Sequence, residues 1–185
     1  MKREKCKRLN NIRFSNPIIK DEIEILYDTK EKLIFRTYLE ADGGQAALHY
    51  HSQIMETFKV IKGELTVILN TKKIRLKPNE AAQIKPYDTH QFFNATHQAV
   101  VFDVEISPAN HIIKGLKIFY GLAKEGKVYK SGLPKNILYT AIGLQFMDAY
   151  SPKIPRKLQQ LGISVLAVIG RVVGAERKLL TKYCN

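Results

Sequence analysis

Between Ile18 and Ile106, apolar residues recur at every second position in short runs, and turn residues separate the runs. No other feature of the chain constrains its fold as much, because only an extended strand places alternate side chains on opposite faces. Leu33, Phe35, Thr37 and Leu39 alternate with Ile34, Arg36, Tyr38 and Glu40. Val100, Phe102, Val104 and Ile106 alternate in the same way with Val101, Asp103, Glu105 and Ser107. Between these runs, Phe58 and Val60, then Lys62-Gly63-Glu64, then Leu65, Val67 and Leu69 predict a hairpin whose turn uses the positive φ open to Gly63. Thr71-Lys72-Lys73 and Lys77-Pro78-Asn79-Glu80 predict the next two turns, and the whole stretch reads as an antiparallel all-β unit.

After Ser107 the period changes. Pro108 followed by Ile112, Ile113, Leu116, Phe119 and Leu122 fits helical spacing, and Gly126 stands where that helix would stop. A second helix is expected from Pro134, with Ile137, Leu138, Ala141, Ile142 and Gln145 on one stripe. Pro152 and Pro155 then break the chain before a third helical segment from Arg156 to about Tyr183. The expected organisation is a basic N-terminal segment over residues 1–16, a β-barrel over 17–108 and a helical extension over 109–185 that covers a face of the barrel or mediates pairing.

A chain of 185 residues can bury a core without staples. Its two cysteines, Cys6 and Cys184, are too few for a disulfide framework and are expected as free thiols in a reducing compartment. The opening MKREKCKRLNNIRF has the charge of a secretion signal but no apolar stretch follows it, so the expected location is cytoplasmic. The net charge of +13 suits nucleic acid, anionic lipid or an anionic small ligand. The positive residues concentrate at Lys2, Arg3, Lys5, Lys7 and Arg8 and again from Lys153 to Lys182, and no aromatic residues interleave with the first group, which reads as a solvated tail.

Leu158 to Val173 is rich in Leu, Ile and Val and flanked by Arg156, Lys157, Arg177 and Lys178. At about 1.5 Å per residue it is shorter than the ~30 Å hydrocarbon core of a bilayer. It is expected to dock on the barrel or on a second subunit, with Gly170 and Gly174 permitting close packing. Attachment to a membrane surface through 156–183 is the alternative.

The chemistry concentrates in the run from Gly43 to Glu56. His49 and His51, two apart in an extended segment, project to one side while Tyr50 points away. Glu56, at the start of the Phe58 to Val60 strand, can return to the same place, and His90 lies on a later β segment. Three imidazoles and one carboxylate make a mixed N/O donor set that suits Fe, Mn, Co, Ni, Cu or Zn better than Ca or Mg. His97 and His111 fall outside this spacing and read as surface residues. Gln53, Gln83 and Gln91 are candidate supporting or substrate-contacting groups, and Tyr38, Tyr50, Phe58, Phe92 and Phe93 read as barrel packing.

Gly43, His49, His51, Glu56 and Gly63 reproduce the spacing of the first motif of the cupin superfamily, and His90 followed by Asn94 is similar to the end of its second. Lys85, Pro86 and Tyr87 stand where that second motif is usually Pro-rich with a Gly. The resemblance runs from about Ile18 to Ile106 and is to a small single-domain bacterial cupin with a helical C-terminal extension. It implies an antiparallel double-stranded β-helix, or jelly-roll barrel, holding one divalent metal (Fe, Mn, Ni, Cu or Zn) through His49, His51, Glu56 and His90. It does not imply one reaction. The leading expectation is a metal-dependent protein acting on a small molecule, with dioxygenase or isomerase chemistry and Glu56 as a candidate proton acceptor. The competing expectation is a small-molecule-binding or regulatory module without turnover. A nucleic-acid-binding regulator ranks last, because no helix-turn-helix, zinc-finger or RNA-binding signature accompanies the charge. A homodimer is expected.

Overall fold

A computed structural model describes residues 12–45 and 47–184. The elements run β1 (Arg13–Asn16), β2 (Asp21–Asp28), β3 (Leu33–Leu39), β4 (Tyr50–His51), β5 (Met55–Lys62), β6 (Leu65–Leu69), β7 (Lys72–Leu76), β8 (Ala81–Ile84), β9 (His90–Phe93) and β10 (Val100–Ser107). The helical extension follows as α1 (Ile112–Lys124), α2 (Ile137–Met147), β11 (Ala149–Tyr150), α3 (Arg156–Val172) and α4 (Ala175–Tyr183). One sheet has the order β1-β2-β3-β10-β5-β8, a second β7-β6-β9 and a third β11-β4. Backbone bridges Gly44↔Phe93 and His49↔His90 lay the segment entering β4 along β9, joining the two smaller sheets into one wall. The result is an antiparallel jelly-roll barrel: the period-two runs predict its antiparallel strands, and the family resemblance implies the jelly roll.

The alternation in the sequence is the alternation in burial. Leu33, Phe35, Thr37 and Leu39 of β3 and Val100, Phe102, Val104 and Ile106 of β10 all point inward. Phe58, Phe92 and Phe102 meet edge to face inside the barrel, with ring centroids 5.2 to 6.1 Å apart. Truncating any one of them to Ala would cost about 3–5 kcal/mol.

The hairpin expected across Gly63 does not form. β5 pairs with β10 and β8, and β6 pairs with β7 and β9, so the chain crosses from one sheet to the other at Gly63. Gly63 does take φ 83°, and a Cβ there would stand 3.0 Å from the Ala99 carbonyl oxygen. A positive-φ glycine serves a corner as well as a hairpin, and local sequence does not separate the two. The hairpin falls instead between β6 and β7. Its register pairs Leu69 with Lys72, so Lys72 and Lys73 belong to the strand and Asn70, at φ 55°, helps form the turn.

α2 begins at Ile137, three residues after Pro134, because Asn136 caps it: the Asn136 side-chain oxygen accepts from the amides of Leu138 (2.9 Å) and Tyr139 (3.2 Å). The third helical segment is two helices, bent by 80°. Gly174 takes φ 76° at the bend, so it breaks the segment, while Gly170 serves as packing: a Cβ on it would lie 2.7 Å from Ile142 Cδ1. Among the described residues no single helix is long and apolar enough to cross a membrane.

The barrel has its own buried core, and α1 to α4 build a second around Ile118, Leu122, Ala141, Ile142, Ala167 and Leu179. The first sheet takes in Arg13–Asn16, whereas the basic cluster from Lys2 to Arg8 and Cys6 lie outside the described residues. Cys184 is a free, half-buried thiol, its pKa pushed up by burial.

Candidate metal centre

The four residues singled out by spacing arrive from three places. His49 and His51 stand at and inside β4, Glu56 is the second residue of β5, and His90 opens β9. Two mutual backbone bonds between His49 and His90, 3.1 and 2.8 Å long, fix the relative height of those side chains. The chain must first pass close to β9. A Cβ on Gly44 would stand 2.5 Å from the Phe93 Cα, so only glycine fits, and Gln45 then ties the segment to β9 through the Phe92 amide (3.0 Å) and the Gln91 side chain (2.5 Å).

The ligand nitrogens of His49, His51 and His90 lie within 4.8 Å of one another. Glu56 Oε2 is 3.0 Å from His90 Nε2 and 3.8 Å from His51 Nε2. Each ring turns Nδ1 toward main-chain carbonyls: His49 toward Ala47 (3.3 Å), His90 toward Asp88 (3.2 Å), and His51 toward Met147 and Asp148 (3.1 Å each). Protonation at Nδ1 satisfies these carbonyls and leaves Nε2 with its lone pair, the tautomer that a metal takes.

The electrostatics match. Burial, then the neighbouring His90 and His51, drives His49 down to about 3, so it is neutral at physiological pH. Burial opposes charge on Glu56, yet contacts with His51 and His90 overcome it and hold the carboxyl far below the ordinary carboxylate range. Burial likewise opposes charge on His51, and Glu56 outweighs it, so His51 is raised. An ionised carboxylate beside imidazoles is ready to bind a cation.

Two polar atoms in this cluster, Glu56 Oε2 and His90 Nε2, are buried and face each other at 3.0 Å; with the His90 proton on Nδ1 neither has a proton to donate, so both are left without a hydrogen bond among the described residues. Buried groups of this kind are costly unless something satisfies them. A borderline transition-metal ion fits the donor set and would satisfy both atoms.

The other candidates separate clearly. His97, His111, Gln53 and Gln83 are exposed. Gln91 supports the loop through Gln45. Tyr38 faces outward to Glu24 and Arg13, while Tyr50 packs beside Tyr87 and Tyr150. Tyr87, in the segment where the family usually carries Gly, takes φ 70°. Its amide donates to the His51 carbonyl (2.8 Å), and Arg156 stacks on its ring at 5.0 Å.

One contributor has no sequence signal. Asp148, in left-handed conformation at the end of α2, accepts from the amides of Ser52 (2.7 Å) and Gln53 (2.8 Å) and from the Ser52 hydroxyl (2.7 Å). Its own carbonyl holds His51, and Ala149 pairs with His51 in the β11–β4 ladder. The helical extension therefore reaches back and grips the His51 segment.

His49, His51 and Glu56 open onto a cavity of about 490 Å³. Its walls are Phe35 and Thr37 of the barrel and, from the extension, Leu116 and Phe119 of α1, Leu144 of α2 and Ile163 of α3 among others.

A jelly-roll barrel with an inward-facing His-x-His, Glu and later His defines a class of metal-site β-barrels. Residues 36–107 match the family model described as Cupin domain. Solved structures similar to the chain include KdgF from Halomonas sp., 19% identical, covering 51% of this chain and 84% of that one at a TM-score of 0.46. A cupin-superfamily sugar phosphate isomerase from Silicibacter pomeroyi is 19% identical, covering 52% and 71% at 0.49. A variant of Streptomyces PAC13 with uridine is 15% identical, covering 58% and 84% at 0.47. Comparison with curated proteins gives no match.

Proposed function

We propose that this chain holds one divalent transition-metal ion, Fe, Mn, Ni, Cu or Zn, through His49, His51, Glu56 and His90, and uses it on a small molecule bound in the adjoining cavity. The observation that carries this reading is the pair of partnerless buried atoms, Glu56 Oε2 and His90 Nε2, inside a cluster whose Nδ1 atoms are already engaged by carbonyls.

A bound ion would supply Lewis acidity or, as iron, oxygen activation, which corresponds to isomerase or dioxygenase chemistry. The protein's own contribution is to orient the imidazoles through their Nδ1 contacts, to keep His49 neutral and to flank the site with a mostly apolar cavity wall. Glu56 suits the ligand role better than that of proton acceptor, since a carboxyl held so acidic is a weak base. The second reading is binding without turnover, favoured by a cavity wall that is mostly apolar.

Elemental mass spectrometry of the purified untagged protein, beside a His49→Ala/His51→Ala variant, tests the metal. Near-stoichiometric metal lost in the variant is expected; equal trace amounts in both would sink the reading. Aerobic turnover of a broad substrate panel by the metal-loaded protein then separates catalysis from binding alone.

A further inference from the structure

The cavity has a second polar end. Asp21 of β2 and Thr37 of β3 both line it, at 5% and 1% exposure. Asp21 Oδ2 accepts from the Tyr120 hydroxyl at 2.5 Å, whereas Asp21 Oδ1 and Thr37 Oγ1 are buried with no partner among the described residues. Register pairs Ile23 with Thr37 and Asp21 with Leu39, so Asp21 and Thr37 are diagonal neighbours on the inner face. Their backbones are thus roughly 7–8 Å apart, room for one group between the side chains.

This end is remote from the histidines. Ile106 pairs with both Glu56 and Leu33, and Phe102 pairs with Thr37, so Thr37 lies four residues, about 13 Å, along the sheet from Glu56's row. α1 spans the same interval, with Ile112 at one end of the cavity wall and Tyr120 at the other.

We propose that Asp21 and Thr37 form a hydroxyl-binding subsite, so that the cavity takes an apolar molecule whose hydroxyl lies between them while its other end reaches the His–Glu cluster. The inference rests on the cavity's being the ligand site of the proposed function and names the class of ligand. A hydroxyl both donates and accepts, as Thr37 does, and burial raises Asp21 to about 7, so near neutral pH this carboxyl also plays either part. An apolar ligand without the hydroxyl would leave both buried atoms unpaired.

Thymol and p-cymene, which share a carbon skeleton and differ by one hydroxyl, test this by calorimetric titration of the full chain as purified and after chelation. Burial alone favours p-cymene, the more apolar of the two. The subsite predicts thymol binding about tenfold tighter, in both metal states. Thr37→Val should abolish that preference while p-cymene still binds, which also shows that the variant is folded. Absence of the preference in the unaltered chain, its loss on chelation, or its survival in Thr37→Val overturns the subsite. The metal reading is judged separately, by metal content.

A different observation carries a second inference. α3 turns Ile163, Ala167 and Gly170 inward, yet Leu158, Leu161, Val165, Val168 and Val172 on its opposite side are 49–81% exposed. Residues 156–183 carry six basic side chains (Arg156, Lys157, Arg171, Arg177, Lys178 and Lys182) against one acidic, Glu176. An apolar ridge in a basic setting matches an anionic membrane surface, while two copies of a +13 chain repel. We infer that the outer face of α3 docks on anionic lipid. In co-sedimentation, the full chain should bind phosphatidylcholine vesicles containing phosphatidylserine about tenfold better than phosphatidylcholine alone, with salt weakening the difference. Val165→Glu/Val172→Glu, at exposed positions, should abolish binding. Equal binding to both vesicles, or a dimer in light scattering that this double variant dissociates, overturns it.

Discussion

Asp21 is a carboxylic acid placed where burial outweighs the Tyr120 hydrogen bond, so its pKa rises from 3.8 to about 7. Between those values the folded state binds the proton and the unfolded state does not, so this group makes stability fall as pH rises from about 4 to about 7. Asp21→Asn preserves the shape and an acceptor for Tyr120 and removes the titration. The variant should match the parent in unfolding free energy at about pH 4 and exceed it at about pH 7.5 by up to ~4 kcal/mol, read as a pH-dependent gain in thermal midpoint. Parallel midpoint-against-pH curves would show that Asp21 does not titrate in that window. A residue that costs stability in this way is what a binding site retains. Sequence carried no hint of it, since Asp21 in Lys20-Asp21-Glu22 reads as solvated charge. His49, His51, Glu56 and His90 were legible because a strand's period of two places His49 and His51 together before any tertiary structure is known.

At the scale of elements, period identified β3 and β10, residue by residue, but pairing partners were not local information. The Gly63 corner and the Asn70 hairpin carry the same kind of turn signal, and only the two-sheet architecture distinguishes them. The end of α2 was equally silent: Asp148 acts on a segment 96 residues earlier in the chain. Its role is positional, since it holds the Ser52–Gln53 turn and its carbonyl orients His51. Outer partners of a metal ligand are worth about 10–100-fold in affinity, so Asp148→Ala should weaken Zn²⁺ binding by that factor in competition with a chelating dye. Asp148→Asn keeps an oxygen for the two amides and should recover most of the loss, which a merely destabilised fold would not do. Unchanged affinity in Asp148→Ala would mean that the β11–β4 pairing alone aligns His51.

At the scale of the molecule, the barrel and the extension divide the work. The matched residues 36–107 contain all four candidate ligands, yet the cavity that His49, His51 and Glu56 open onto is walled in part by α1, α2 and α3. The cavity is therefore lined both by residues outside the matched region, Asp21 and α1 to α3, and by residues such as Thr37 within it. Helical periodicity forecast the helices, but an amphipathic stripe says only that a face is buried, not that it is buried around a void. α3 shows why: it is apolar on two opposite sides, and composition could not tell which side meets the protein. The structure gives Ile163 to the cavity and Val165 to the exterior, so one helix separates the cavity from the outer surface. With its N-terminal residue Arg156 stacked on Tyr87 and Tyr87 bonded to the His51 carbonyl, α3 is linked mechanically to the candidate metal site as well. The extension is thus the third wall of the site and not an appendage to it.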